Sequence, residues 1–154
     1  MVHVLKNTNY PKPGSTIRVD PIRSLKDIAR IKKLLADNPR DLAIFTLGIN
    51  SALRASDLVA IPLSSIQNLM VGESFIVKEK KTGKNRHVTI NESVFRALND
   101  YLEVRPRTKP NLPLFLSRKG GGGLTVPSLH RMVKSWCHEE TRIGKIQSEN
   151  SLKS

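Results

Sequence analysis

The sequence holds a single cysteine, Cys137, in 154 residues. A disulfide framework is excluded, and a cysteine-based zinc cluster would lack ligands, so the expected setting is a reducing cytoplasm. The four histidines are scattered and His138 with Glu139 and Glu140 lacks metal-helix spacing, so neither a metal nor another cofactor is expected. Aromatic residues are only 5%, which argues against nucleic-acid recognition by stacking bases on a sheet platform. No apolar run approaches the roughly 18 residues of a membrane span. Met1 to Tyr10 also lacks the apolar segment of a secretory signal.

Acidic residues are scarce relative to basic ones, 13 against 26, for a net charge of +13. Residues 1–70 carry 10 basic and 5 acidic side chains, residues 71–109 carry 9 and 5, and residues 110–154 carry 7 and 3. The excess is therefore spread along the chain and is not a basic tail. Spread basicity on a folded chain points to a polyanionic partner, nucleic acid before a membrane surface. The hydrophobic share of 38% is enough for the core of one globular domain.

Residues 1–21 read as an extended lead-in, with Pro11, Pro13 and Gly14 and no helical period. A domain is expected over residues 22–137. Ser24 followed by Asp27 suggests a capping box opening a helix through Leu25, Ile28, Ile31, Leu34 and Leu35. Asn38-Pro39 marks a second start, N-cap then first helical residue, of a helix apolar nearly all round to about Ala52. Ser51 or Ser56 is expected to cap a short third helix ending near Ala60. Ser74 to Glu79 and Arg86 to Ile90 predict a β-hairpin with a cationic tip. Asn91 caps a predicted helix over Glu92 to Val104, and Leu114-Phe115-Leu116 reads as a short strand. A last amphipathic helix starts at Pro127-Ser128, and residues 138–154 read as a polar, frayed tail. The expected class is α+β, mainly helical, with a small antiparallel hairpin sheet at the edge of a helical bundle.

Two cations stand out. Arg54 follows the apolar helix among Ala52, Leu53, Ala55 and Leu58, so partial burial is expected. Its guanidinium then serves either an ion pair with Asp57, three residues on, or a phosphate held bidentately. Lys81 sits at the hairpin tip with Lys78, Lys80, Lys84 and Arg86. Such a tip is either a charged edge that resists aggregation or a finger on a nucleic-acid backbone with one lysine able to donate a proton. Gly120 to Gly123 lacks the Gly-Lys-Ser/Thr ending of a phosphate loop, Cys137 beside Trp136 reads as core, and neither Tyr10 nor Tyr101 is placed as an activated nucleophile.

Three stretches in order resemble the catalytic domain of the tyrosine recombinase or phage integrase family. Leu47 to Leu58 resembles its apolar helix ending in small-Leu-Arg, then a serine and an acid before leucine. Lys78 to Ile90, with Lys81-Thr82-Gly83 and Arg86-His87-Val88, resembles its lysine-bearing β-hairpin, and Leu124 to Trp136 resembles the helix before its second motif box. The resemblance covers about residues 22–137. It implies that Arg54 clamps a non-bridging oxygen of the scissile phosphate. It implies that Lys81 protonates the departing 5′-hydroxyl and that Asp57 orients the region from behind. Double-stranded DNA is the implied partner, met by Lys80, Lys84, Arg86, Arg118 and Lys119. In the family a tyrosine attacks the phosphate and keeps the bond energy in a 3′-phosphotyrosyl link, without metal or nucleotide.

The sequence departs from the family after Cys137. The family's His-x-x-Arg box is not matched, because His138 and Arg142 are separated by one residue too many, and no tyrosine follows Tyr101. Only about 20 residues precede the domain, too few for the family's N-terminal DNA clamp. The expectation is a truncated recombinase that binds DNA and does not cleave it alone. The expected protein partners are a second copy, through an apolar patch left open around Val133 and Trp136, or a full-length recombinase that carries the missing box. The alternative is a basic RNA- or protein-binding module unrelated to recombination.

Overall fold

The structure, a computed structural model, describes residues 24–151, and of residues 139–151 the backbone alone. The lead-in expected over residues 1–21 lies outside the described residues.

Helix α1 spans Leu25–Leu34, α2 Pro39–Ser51, α3 Ala55–Val59, α4 Glu92–Val104 and α5 Val126–Ser151, with a single 3-10 turn over Leu63–Ser65. Strands β1, Ser74–Lys78, and β2, Asn85–Thr89, form the antiparallel sheet between α3 and α4. The expected α+β class with a hairpin beside helices is the architecture found. α2 packs on α4, while α1 and α3 pack on α5. The sheet contributes Phe75, Val77 and Val88 to the core, where Phe115 and Ile44 are fully buried and Trp136 meets Phe45 edge to face at 6.1 Å.

The start signals of α2 and α4 act as read. Asn38 accepts from the Asp41 N–H at 3.3 Å with Pro39 in the first turn, and Asn91 accepts from the Val94 N–H at 2.9 Å. Three other expectations fail for local reasons. Ser24 caps α1 through the Lys26 N–H, and Asp27 turns outward to Arg30, so no reciprocal box forms. Neither Ser51 nor Ser56 caps α3. Arg54 holds that position without a side-chain cap, and Ser51 instead accepts from Leu53. Leu114 to Leu116 is not a strand. Pro113 supplies no N–H, and the segment makes only single bridges, Pro62 with Pro113 and Leu116 with Gly123. Its burial is nonetheless complete at Leu114 and Phe115.

Two further differences concern the ends. Leu25 leads α1 but is 84% exposed, leaving Ile31 and Leu35 as the buried residues there. α5 continues to Ser151, well past the point at which the apolar pattern fades and a frayed tail was expected. Of the apolar patch expected around Val133 and Trp136, Trp136 is covered by its own domain and Val133 is 38% exposed.

Candidate functional site

α2 ends on Ala52, whose backbone takes the left-handed conformation, φ 51° and ψ 30°. For a residue with a Cβ this conformation costs about 1–2 kcal/mol. It stops the helix at once and sends the chain across the face of the hairpin. Arg54 follows in extended conformation, φ −68° and ψ 153°, at the mouth of α3. It therefore lies off the apolar face of α2, and its side chain is 47% exposed, more open than the sequence suggests.

The hairpin meets Arg54 from the other side. Side chains alternate along a strand, so Arg86 shares the inner face of β2 with Val88. From there Arg86 donates through NH1 to the Ala52 carbonyl at 3.3 Å and through Nε to Glu79 Oε1 at 2.8 Å. Glu79 follows β1, and the turn closes on it: the Glu79 N–H donates to the Lys84 carbonyl and the Gly83 N–H to the Glu79 carbonyl. Gly83 takes φ +68°, which glycine adopts without a Cβ clash. Thr82 Oγ1 donates to Glu79 Oε2 at 2.7 Å, and Arg54 NH1 reaches the same oxygen at 3.5 Å.

Glu79 thus collects Arg54, Thr82 and Arg86. The Thr82 hydroxyl, foremost, holds its carboxyl below the usual carboxylate range. Burial opposes this, and the charges of Arg86 and then Arg54 add to it. The ion pair with Asp57, one of the two roles open to Arg54, does not form, and Arg54 meets Glu79 instead. Asp57 is buried and turns to the hairpin, accepting the Lys80 N–H on Oδ1 at 3.0 Å, while its Oδ2 is buried without a partner. The Asp57 bond fixes the residue next to Lys81. The Lys81 side chain is exposed, as are those of Lys80 and Lys84. Arg54, Lys80, Lys81, Lys84 and Arg86 are therefore brought to one end of α2.

Arg118 and Lys119 are not part of this group. Arg118 lies 3.7 Å from Asp41 Oδ2, in the first turn of α2, and Lys119 precedes the positive-φ residues Gly120 and Gly121. Asp41 also takes Arg40, Nε to Oδ1 at 2.8 Å, and Arg40 in turn donates to the Leu116 carbonyl at 2.9 Å. A cleft of about 430 Å³ opens here, lined by Arg40, Arg118, Lys119, Arg131 and Ser128 among others. From Asp41 to Ala52 along α2 the rise is about 16 Å, so the molecule carries two basic patches at opposite ends of one helix.

Sequence reading missed Glu79, Arg40 and Asp41. Glu79 is the one acid between Lys78 and Arg86, a signal in itself. The Arg40–Asp41 pair had no local signal, because its reason is the Leu116 carbonyl, 76 residues away.

The sequence model of the phage integrase family matches residues 16–148. The tyrosine recombinase XerC of Caldanaerobacter subterraneus subsp. tengcongensis is 36% identical over 129 residues, 79% of this chain and 35% of that protein. The probable integrase/recombinase YoeC of Bacillus subtilis is 40% identical over 84 residues, 54% of this chain and 45% of its own. The chain spans between about a third and just under half the length of these relatives. Among solved structures, the XerA recombinase aligns with a TM-score of 0.66 at 21% identity, over 82% of this chain and 44% of that one. The XerH site-specific recombinase, bound to its difH substrate in a pre-cleavage complex, aligns with a TM-score of 0.60 at 16% identity, over 83% and 39%. At these identities the two structures establish a shared fold.

Proposed function

This chain belongs to the phage integrase family, and from that premise we propose that it is a site-specific recombinase segment that grips the phosphate backbone of double-stranded DNA. The observation that supports it is the convergence of Arg54 and the Lys81 hairpin, tied through Glu79 and through the Asp57–Lys80 bond. Arg54 receives a non-bridging oxygen of the scissile phosphate and stabilises the charge of the transition state. Lys81, on its exposed turn, delivers a proton to the leaving 5′-hydroxyl. Asp57 keeps the hairpin at its distance from Arg54. Lys80, Lys84 and Arg86 hold neighbouring phosphates, and Arg118 and Lys119 a more distant stretch of the same duplex. Family membership favours DNA over an RNA or acidic-protein partner.

Among the described residues, no tyrosine is placed to attack the phosphate. Tyr101 is 3% exposed, donates to the Leu114 carbonyl at 3.1 Å and stacks on Phe115, so it is a core residue. No tyrosine follows it in the sequence. The residues present bind and polarise a phosphate, and a full-length recombinase that carries the missing box and the tyrosine is the partner that breaks it. The proposed place of action is the cytoplasm, in keeping with a lone cysteine in the sequence. Among the described residues no helix is long and apolar enough to cross a membrane.

The test pairs binding with cleavage. The chain is expected to bind duplex DNA in low salt, to lose affinity in Arg54→Ala and Lys81→Ala, and to give no covalent adduct on a nicked duplex that traps phosphotyrosyl links. Addition of a full-length relative is expected to allow cleavage. An adduct from this chain alone overturns the division of labour. Tight RNA binding indifferent to both substitutions overturns the recombinase reading.

A further inference from the structure

Glu79 shares two carboxylate oxygens among three partners. Arg86 Nε bonds Oε1 at 2.8 Å and Thr82 Oγ1 bonds Oε2 at 2.7 Å, both at full hydrogen-bond length. Arg54 reaches only the oxygen already used by Thr82, and only to 3.5 Å. Thr82 and Arg86 belong to the same hairpin as Glu79, three and seven residues on, whereas Arg54 arrives from 25 residues earlier. The carboxylate therefore stays anchored if Arg54 leaves, and Arg54 is the loosely held partner. A carboxylate and a pair of phosphate oxygens offer a guanidinium the same anionic fork.

We propose that Glu79 is a positioning residue for Arg54: a resident anion that holds the guanidinium at the hairpin and yields it to an incoming phosphate. The inference deepens the function proposed above and rests on the same site. Before DNA arrives, Glu79 satisfies a half-exposed cation and keeps it beside Lys81. When a phosphate enters, Arg54 moves from Oε2 to the phosphate oxygen, and Glu79 retains Arg86 and Thr82. No proton is transferred. Glu79 thus weakens binding of any single stray anion, so that only a polyanion also held by Lys80, Lys84 and Arg86 displaces it.

Pyrophosphate is the probe, titrated against the Nε–Hε resonance of Arg54 in the whole chain. Glu79→Gln keeps the shape and removes the charge, and it is expected to raise pyrophosphate affinity at Arg54 about threefold, the scale of an exposed ion pair. Thr82→Val frees Oε2 for Arg54 and is expected to lower that affinity about twofold. A merely structural role would shift both variants the same way. That result, or a Glu79→Gln affinity equal to or below the parent's, overturns the proposal. So does an equal gain from Glu73→Gln, which removes the same charge before β1. Should Glu79→Gln fail to fold, Glu79→Asp withdraws the carboxylate by one methylene and is expected to shift affinity upward as well. Duplex binding is measured separately. If the opposed shifts are found and the chain ignores duplex DNA, the recombinase reading fails and the Glu79 inference stands. If duplex binds and the shifts are absent, the reverse holds.

Discussion

The backbone N–H of Lys80 donates to Oδ1 of Asp57 at 3.0 Å, linking the first turn of α3 to the turn of the hairpin. Asp57 is 2% exposed, and its second oxygen has no partner. Removing the carboxylate leaves the Lys80 N–H without its acceptor, so Asp57→Ala is expected to cost about 1–3 kcal/mol in urea unfolding. Asp57→Asn keeps an oxygen acceptor at Oδ1 and is expected to stay within about 1 kcal/mol of the parent. Equal losses in the two would mean that the negative charge, and not the acceptor, holds the hairpin.

A second expectation concerns acid. Glu79 has a folded-state pKa below its ordinary value of 4.5, held there by the Thr82 hydroxyl and by Arg86 and Arg54. A carboxylate of this kind stabilises the fold above its unfolded-state pKa, and the contribution is lost as pH falls through the lower folded-state value. The window therefore lies below pH 4.5. Urea midpoints measured downward from about pH 5 should fall more steeply for the parent than for Glu79→Gln. Parallel curves would show that the three contacts contribute nothing to the folded state.

Much of this frame was legible because it is written locally. Asn38-Pro39 and Asn91 open helices through bonds to residues three positions on, and the hairpin limits follow from β-branched runs around Lys-Thr-Gly-Lys-Asn. Arg54 and Lys81 were singled out from the same local signals and a family resemblance. What was not legible depends on partners far along the chain. Arg54 stands near Asp57 in sequence, yet the left-handed turn at Ala52 aims it at Glu79, 25 residues away. Leu114 to Leu116 looks like a strand because it is apolar, and it is apolar because it is buried, with no neighbouring strand to pair with.

The basic patches predict separable effects of salt and stability. The Lys84 side chain is exposed on the turn, whereas Arg86 holds both Glu79 and the Ala52 carbonyl. Counterion release makes affinity fall steeply with salt, and loss of one phosphate contact lowers the log–log slope by about 1. Lys84→Ala is expected to reduce the slope by that amount on every duplex sequence while the melting temperature stays put. Arg86→Ala is expected to reduce it similarly and to lower the melting temperature as well. A slope unchanged in both would move the binding surface away from the hairpin.

Arg105 supplies the opposite case, a cation whose work is internal. It is 7% exposed and meets no carboxylate among the described residues: Nε donates to the Leu114 carbonyl at 2.8 Å, NH2 to Pro113 at 2.7 Å, and NH1 to Pro106 at 3.0 Å and Thr108 at 2.7 Å. These acceptors belong to the proline-rich loop after α4, which has no ladder to satisfy them. A buried charge is tolerated when its hydrogen bonds are complete, and here the planar fork of guanidinium reaches four oxygens at once. Lysine has one nitrogen and cannot span them. Arg105→Ala and Arg105→Lys are both expected to lose about 3 kcal/mol of stability. The salt slope of DNA binding by the folded fraction should stay unchanged in both variants. Rescue by lysine would show that charge alone is required, and a reduced slope would place Arg105 on the DNA after all.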